Sequence, residues 1–276
     1  MGKHSEDTSV NFSEKIKNNY SQLAPSARQV ADYMQQNPLA AVTLSVKQIA
    51  EKVGTSKASV SRFFQQLGFN SHQDVKAFVL KQREQGVPIA NPSSLAATLE
   101  QELENVSTTL AAINTQDIAD IAQRIINAKK VFVIGARTSY PLALSLRQQL
   151  TQIRNDVELL PKSGQTLAED LIDIGSNDYV IVFGLRRRPK IFEKLINALP
   201  NKNTLLITEP GGQIYRQHVQ DVIVCQLGQA QAFDSYAAPM AVVSLLCNQA
   251  YQLSGDTGSA RSQQISTLYK ELDELS

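Results

Sequence analysis

A chain of 276 residues with 42% hydrophobic content exceeds a typical single domain, so two separate cores are expected. Its two cysteines, Cys225 and Cys247, lie in apolar runs, which excludes a disulfide framework and fits a reducing compartment. No long uncharged apolar stretch occurs and the start, MGKHSEDTSV, is polar where a signal peptide is apolar, so a cytoplasmic protein without a membrane partner is expected. The net charge of +1 is unevenly spread: residues 1–85 carry 11 Lys and Arg against 7 Asp and Glu, and the remainder 16 against 19. An excess of +4 suits a nucleic-acid partner but is modest, so two copies acting on one duplex are expected, as a homodimer or homotetramer.

Residues 1–11 have no apolar period and read as a disordered lead. Helical patterns follow over Phe12–Tyr20 and Ser26–Gln36, with Pro25 at a start and Pro38 just past an end. In the next pattern Val46, Ile49, Ala50 and Val53 form one apolar stripe that Gly54 can end in a left-handed conformation. Ser56 is the N-cap candidate of a further helix carried by Ala58, Val60, Phe63, Phe64 and Leu67 to Gly68. Two short helices so joined form a helix-turn-helix, whose second helix can enter the major groove. Ser71–Gln85 adds a last helix, closing an all-α helix-turn-helix domain of about five helices over residues 1–85. Residues 86–94, with Pro88 and Pro92, read as a linker.

Adjacent amphipathic helices also occur in plain helical bundles, but LAPSARQVADYMQQNP, VKQIAEKVGTSKASVSRFFQQLGF and HQDVKAF, within residues 16–80, resemble the N-terminal domain of MurR/RpiR-type bacterial transcriptional regulators. The run ASVSRFFQQLGF is the most specific part. The helix geometry places Thr55, Ser56, Lys57, Ser59, Ser61 and Arg62 at a double-stranded DNA operator, with Val60, Phe63 and Leu67 in the core.

From residue 95 the apolar positions Leu95, Leu99, Leu103, Val106, Leu110 and Ile113, then Ile118, Ile121, Ile125 and Ile126, fit two helices. Five short apolar runs follow, VFVIG at 131, VELL at 157, YVIVFG at 179, TLLIT at 204 and DVIVC at 221. Helical segments begin near Tyr140, Thr166, Pro189, Pro210 and Ala237, and a final helix covers Ser259–Leu275. Such alternation predicts an α/β domain with a five-stranded parallel sheet flanked by helices. Residues 95–276 resemble an SIS (sugar isomerase) domain, the phosphosugar-binding fold that follows the helix-turn-helix in these regulators; the resemblance implies ligand binding and dimerisation there.

Ligands of parallel sheets collect at strand carboxyl ends, where helix N-termini attract anions. Three loops have that build: Gly135-Ala136-Arg137-Thr138-Ser139, Gly184-Leu185-Arg186-Arg187-Arg188, and Thr208-Glu209 before Gly211 and Gly212. The first lacks the three glycines of a dinucleotide signature, and no cofactor or metal is expected. By resemblance, Ser139 matches a phosphate-binding serine, whereas the arginines replace a Ser/Thr-rich cluster. Guanidinium forks suit phosphate or carboxylate, so an anionic sugar-derived effector, a sugar phosphate or sugar acid, is expected; a solvated helix start or an interface patch is the alternative. Cations at a helix N-terminus oppose its dipole, which favours a counter-anion. Asp234 and Ser235, in an FDSY run resembling one in a subset of these regulators, are either ligand contacts or the N-cap of the next helix.

The pattern as a whole reads as a ligand-responsive transcriptional regulator, a repressor by the more frequent assumption, and not an enzyme. The rival is a sugar-phosphate isomerase, which needs a positioned base. Glu209, Glu169 and His218 are the available groups, and none forms a recognisable acid-base pair. An architectural DNA-binding protein with a ligand-free second domain is the third reading.

Overall fold

A computed structural model of the chain describes residues 10–85, 95–199, 203–228 and 233–275. It divides into two compact units, Met1–Glu100 with Gly228–Asp234, and Gln101–Leu227 with Ser235–Ser276. The expected disordered lead, apart from its last residues, and the linker at 86–94 lie outside the described residues.

The first unit is all-helical, with α1 (Phe12–Asn19), α2 (Pro25–Gln36), α3 (Ala40–Thr43), α4 (Val46–Val53), α5 (Lys57–Gln66) and α6 (His72–Gln85). The four-residue α3 was not expected, because one turn leaves no readable period. Capping follows the sequence signals closely. Ser45 and Gln48 form a reciprocal capping box at the start of α4, and Gly54 ends that helix at φ 73°, ψ 34°. Ile16, Val30, Met34, Ile49, Val60 and Phe63 are fully buried at the centre of the core. Buried Gln82 of α6 accepts the Phe12 N–H at 3.0 Å and donates to the Val10 carbonyl at 3.2 Å, tying the two ends of the unit together.

Further on come α7 (Leu95–Ala111), α8 (Thr115–Asn127), β1 (Val131–Gly135), α9 (Tyr140–Thr151), β2 (Val157–Leu160), α10 (Ala168–Leu171) and β3 (Tyr179–Phe183). The chain then runs through α11 (Phe192–Ala198), β4 (Thr204–Thr208), a 3-10 stretch Pro210–His218, β5 (Asp221–Val224) and α12 (Ala237–Glu271). All five expected strands form, and every pairing is parallel, in the order β2-β1-β3-β4-β5. Alternate residues feed two cores. Val131, Val133, Ile181 and Ile207 face a cluster with residues of α8, α9 and α12, while Phe132, Ile134, Val182 and Leu206 face one with residues of α11. The final helix is continuous with the one before it, across a non-helical Gly255 at φ 55°, ψ −140°. The segment after Pro189 becomes regular helix only at Phe192, and the one after Pro210 is 3-10.

Candidate functional site

The helix-turn-helix presents a polar edge over a fixed apolar one. Ser56 accepts the Ser59 N–H at 3.1 Å, and its hydroxyl lies 3.0 Å from that of Ser59, so these two side chains start α5 as much as they face outward. The Thr55 N–H donates to the Ala50 carbonyl at 2.9 Å and closes the turn. Lys57, Ser61 and Arg62 are exposed, while Val60, Phe63 and Phe64 are buried beneath them. Gln65 and Gln66 are exposed too. Gln65 stands one turn beyond Ser61, and the i, i+4 spacing was the signal for it.

In the second unit the order β2-β1-β3-β4-β5 reverses direction between β1 and β3, and an open parallel sheet binds ligands at such a switch point. A cavity of about 200 Å³ lies there, lined by Gly135 and Ser139 after β1, and by Gly184, Arg186, Arg187 and Arg188 after β3. The sequence reading missed its third wall, Pro161, Gln165 and Leu167 after β2, because that loop carries no glycine or anion signature. Gly135 makes the first loop possible: a Cβ there would stand 2.6 Å from the Ser139 carbonyl and 2.8 Å from the Ala143 Cβ. Ser139 is buried in the cavity wall. Arg137 and Arg187 both hold left-handed backbone, at φ 56° and 65°. Such conformations cost about 1 to 3 kcal/mol and cluster at functional sites.

The other expected ligand residues are placed differently. Arg188 donates from Nη2 to Thr208 Oγ1, Glu209 Oε1 and Glu209 Oε2, each at 2.8 Å, and lies 5.5 Å and 5.7 Å from the Phe192 and Tyr215 ring centroids. Thr208 Oγ1 donates in turn to the Gly184 carbonyl at 2.9 Å. Gly212 leaves the room, since a Cβ would collide with Thr208 and the Arg188 guanidinium. The counter-anion expected for the arginine run is thus built in at Arg188: it is Glu209, and that pair fastens the β3 and β4 loops to each other. Glu209 does not line the cavity.

Neither do Arg137, Thr138, Asp234 or Ser235 line it. The Thr138 hydroxyl is 2.8 Å from that of Tyr236. Ser235 Oγ accepts the Ala237 N–H at 3.2 Å in the manner of a cap and donates to Glu102. Burial raises the pKa of both cysteines to about 12, with the Glu209 carboxylate adding to the effect at Cys225, so both are inert as thiolates at neutral pH. Among the described residues no group of His, Cys, Asp and Glu is arranged to hold a metal, and no helix is long and apolar enough to cross a membrane.

A helix-turn-helix unit joined to a doubly wound α/β unit with a strand-end pocket defines a two-domain class. Residues 10–86 match the helix-turn-helix domain of the rpiR family, and residues 124–249 match the SIS domain. The chain thus carries a helix-turn-helix domain of the rpiR family followed by an SIS domain. Among curated relatives, an uncharacterized HTH-type transcriptional regulator of Caldanaerobacter subterraneus subsp. tengcongensis is 24% identical over 48% of this chain and 50% of its own length. The HTH-type transcriptional regulator GlvR of Bacillus subtilis is 22% identical over 64% and 67%. The chain spans about half the length of the first of these relatives. Among solved structures, the sugar isomerase domain of an RpiR transcription factor from Sphaerobacter thermophilus has a TM-score of 0.57 at 19% identity, covering 63% of this chain and 99% of that one. NanR of Vibrio vulnificus, solved with ManNAc-6P, has a TM-score of 0.57 at 16% identity, covering 95% and 99%. These two likenesses show the fold.

Proposed function

We propose that the chain is a DNA-binding transcriptional regulator of the cytoplasm, a repressor acting as a homodimer or homotetramer, whose SIS domain senses a small anionic metabolite of the sugar-phosphate or sugar-acid class. The observation that carries this reading is the cavity at the β1/β3 switch point, which Ser139 and Arg187 both line, in a chain that also holds a helix-turn-helix with exposed Lys57, Ser61 and Arg62. The ManNAc-6P bound by NanR supports the ligand class. An isomerase would need an acid-base group at the cavity. The described lining holds no carboxylate or imidazole, Glu209 is paired with Arg188, and His218 hydrogen-bonds Gln217 at 3.1 Å.

Selection of bound sequences from a random duplex library tests the reading. One motif should be enriched, and ManNAc-6P or another anionic sugar derivative should shift the affinity for it at least tenfold. Lys57→Ala should weaken binding, and Ser139→Ala should remove only the shift. A library without enrichment would reject the DNA-binding half of the proposal.

A further inference from the structure

Helix α7 is the first element after residues 86–94, and from Gln101 onward it belongs to the second unit. It is seated there largely by polar contacts. Its buried residues are Asn105 and Thr109, while Leu95, Leu99 and Leu103 are largely exposed. Thr109 accepts the Gln226 N–H at 2.8 Å and donates to the Asn105 carbonyl at 2.7 Å, and the Glu102 carboxylate accepts a hydrogen bond from the Ser235 hydroxyl. The Asn105 Nδ2 is buried with no hydrogen-bond partner among the described residues. A buried donor left unpaired weakens the seated position about ten- to a hundredfold. Elements held in this way lie at the low-stability end of a fold, from which the moving parts of switches are drawn.

The residue that holds Glu102 also leads to the cavity. Ser235 precedes Tyr236, whose hydroxyl is 2.8 Å from that of Thr138, and Thr138 precedes Ser139 in the cavity wall. The Ser139 N–H closes this turn on the Ala136 carbonyl at 3.1 Å, and Arg137 within it holds left-handed backbone at φ 56°. Such a conformation persists only while its surroundings hold it, so a group that enters beside Ser139 acts on a turn that is already strained. We propose that Thr138, Tyr236, Ser235 and Glu102 are positioning residues that couple the β1 loop to α7, so that filling the cavity shifts the helix that follows the stretch from the helix-turn-helix domain. The signal rests on the ligand reading above, but the coupling itself is a property of the unliganded fold.

Hydrogen–deuterium exchange of the full chain measures this coupling without a ligand. Thr138→Val should speed exchange of the amides of residues 102–111 about three- to tenfold, as should Glu102→Gln, while the amides of α11 keep their rate. Thr138→Ser, which retains the hydroxyl, should restore the wild-type rate. Because both changes break one chain of contacts, the double variant should exchange no faster than the faster single one. Tyr236→Phe serves as the second variant if Thr138→Val alters the thermal melt. ManNAc-6P should change the exchange of residues 102–111 at least threefold in the wild type and leave it unchanged in Tyr236→Phe. Exchange in α7 that ignores both Thr138→Val and Tyr236→Phe would overturn the coupling, whatever Glu102→Gln does. ManNAc-6P without effect on the wild type would count against the ligand reading alone, because the variants decide the coupling without it.

Discussion

Arg188 is where a residue-level reading changes most between sequence and structure. In the chain it is the last of three like charges at a loop, suited to an external anion. In the fold it is mostly buried, bonded to Thr208 and Glu209, and flanked by Phe192 and Tyr215. Removing one partner of such a pair strands the other charge. Arg188→Ala should therefore destabilise the SIS domain by on the order of 2 to 3 kcal/mol, below the full penalty for a buried ion because both groups retain some contact with water. Arg188→Met combined with Glu209→Gln should recover most of that loss in urea unfolding; a double variant as unstable as the single would show that the pair is not the unit. In the first unit His72 stacks on Phe64 with ring centroids 5.4 Å apart, and its Nε2 lies 2.9 Å from the Ala41 carbonyl. Burial lowers its pKa from the ordinary 6.5, Lys76 adds a smaller push in that direction, and the Ala41 carbonyl opposes both. The folded state thus holds the proton less tightly than the unfolded one. Its stability should be intact above pH 6.5 and decline as pH falls through 6.5 toward the lower folded-state value. His72→Gln should flatten this dependence in thermal unfolding between pH 7.5 and 5.5, and an unchanged slope would assign it to other groups.

Among elements, the helix-turn-helix was legible because its ends are written locally. Gly54 supplies the left-handed cap, Ser56 the next N-cap, and the buried stripe repeats every three or four residues. The five strands were legible as apolar runs, and the loops after β1 and β3, read as ligand loops, line one cavity. What the sequence withheld is long-range. No period reports the order β2-β1-β3-β4-β5, so the wall contributed by the loop after β2 stayed hidden, as did a pair of side chains 21 residues apart on loops that meet only because β3 lies beside β4. Single-turn α3 escaped for the opposite reason, being too short to carry a pattern. Division of labour on α5 gives a paired expectation. Exposed Lys57 should act on DNA without supporting the fold, so Lys57→Ala should leave unfolding unchanged and reduce the salt slope of DNA binding by about one. Fully buried Phe63 should do the reverse, and Phe63→Ala should cost about 3 to 5 kcal/mol in chemical unfolding. An unchanged salt slope in the first variant, or retained stability in the second, would refute the corresponding half.

For the whole molecule, the proposed DNA binding raises the question of how a reading head of such small charge would bind tightly. An excess of +4 over residues 1–85 supports few phosphate contacts, and affinity from those contacts falls steeply as salt rises. Two heads joined in one particle meet this by effective concentration, which raises avidity by about 10² to 10⁴ over one head without any new contact. Joining requires a sticky surface, and the end of α12 offers candidates: Leu268 and the C-cap residue Leu272 stand one turn apart with 51% and 58% of their surface exposed. Self-association through the SIS domain is therefore expected at micromolar concentration, with half-sites spaced at multiples of about 10 to 10.5 bp. Sedimentation of the wild type beside Leu268→Asp/Leu272→Asp, followed by binding to duplexes with one or two half-sites, checks each step. The variant should sediment as a monomer, bind the single half-site as the wild type does, and lose about 10²-fold or more on the paired site. A wild type that sediments as a monomer and still holds one half-site tightly would mean that a single head suffices, and the charge argument for two would fall.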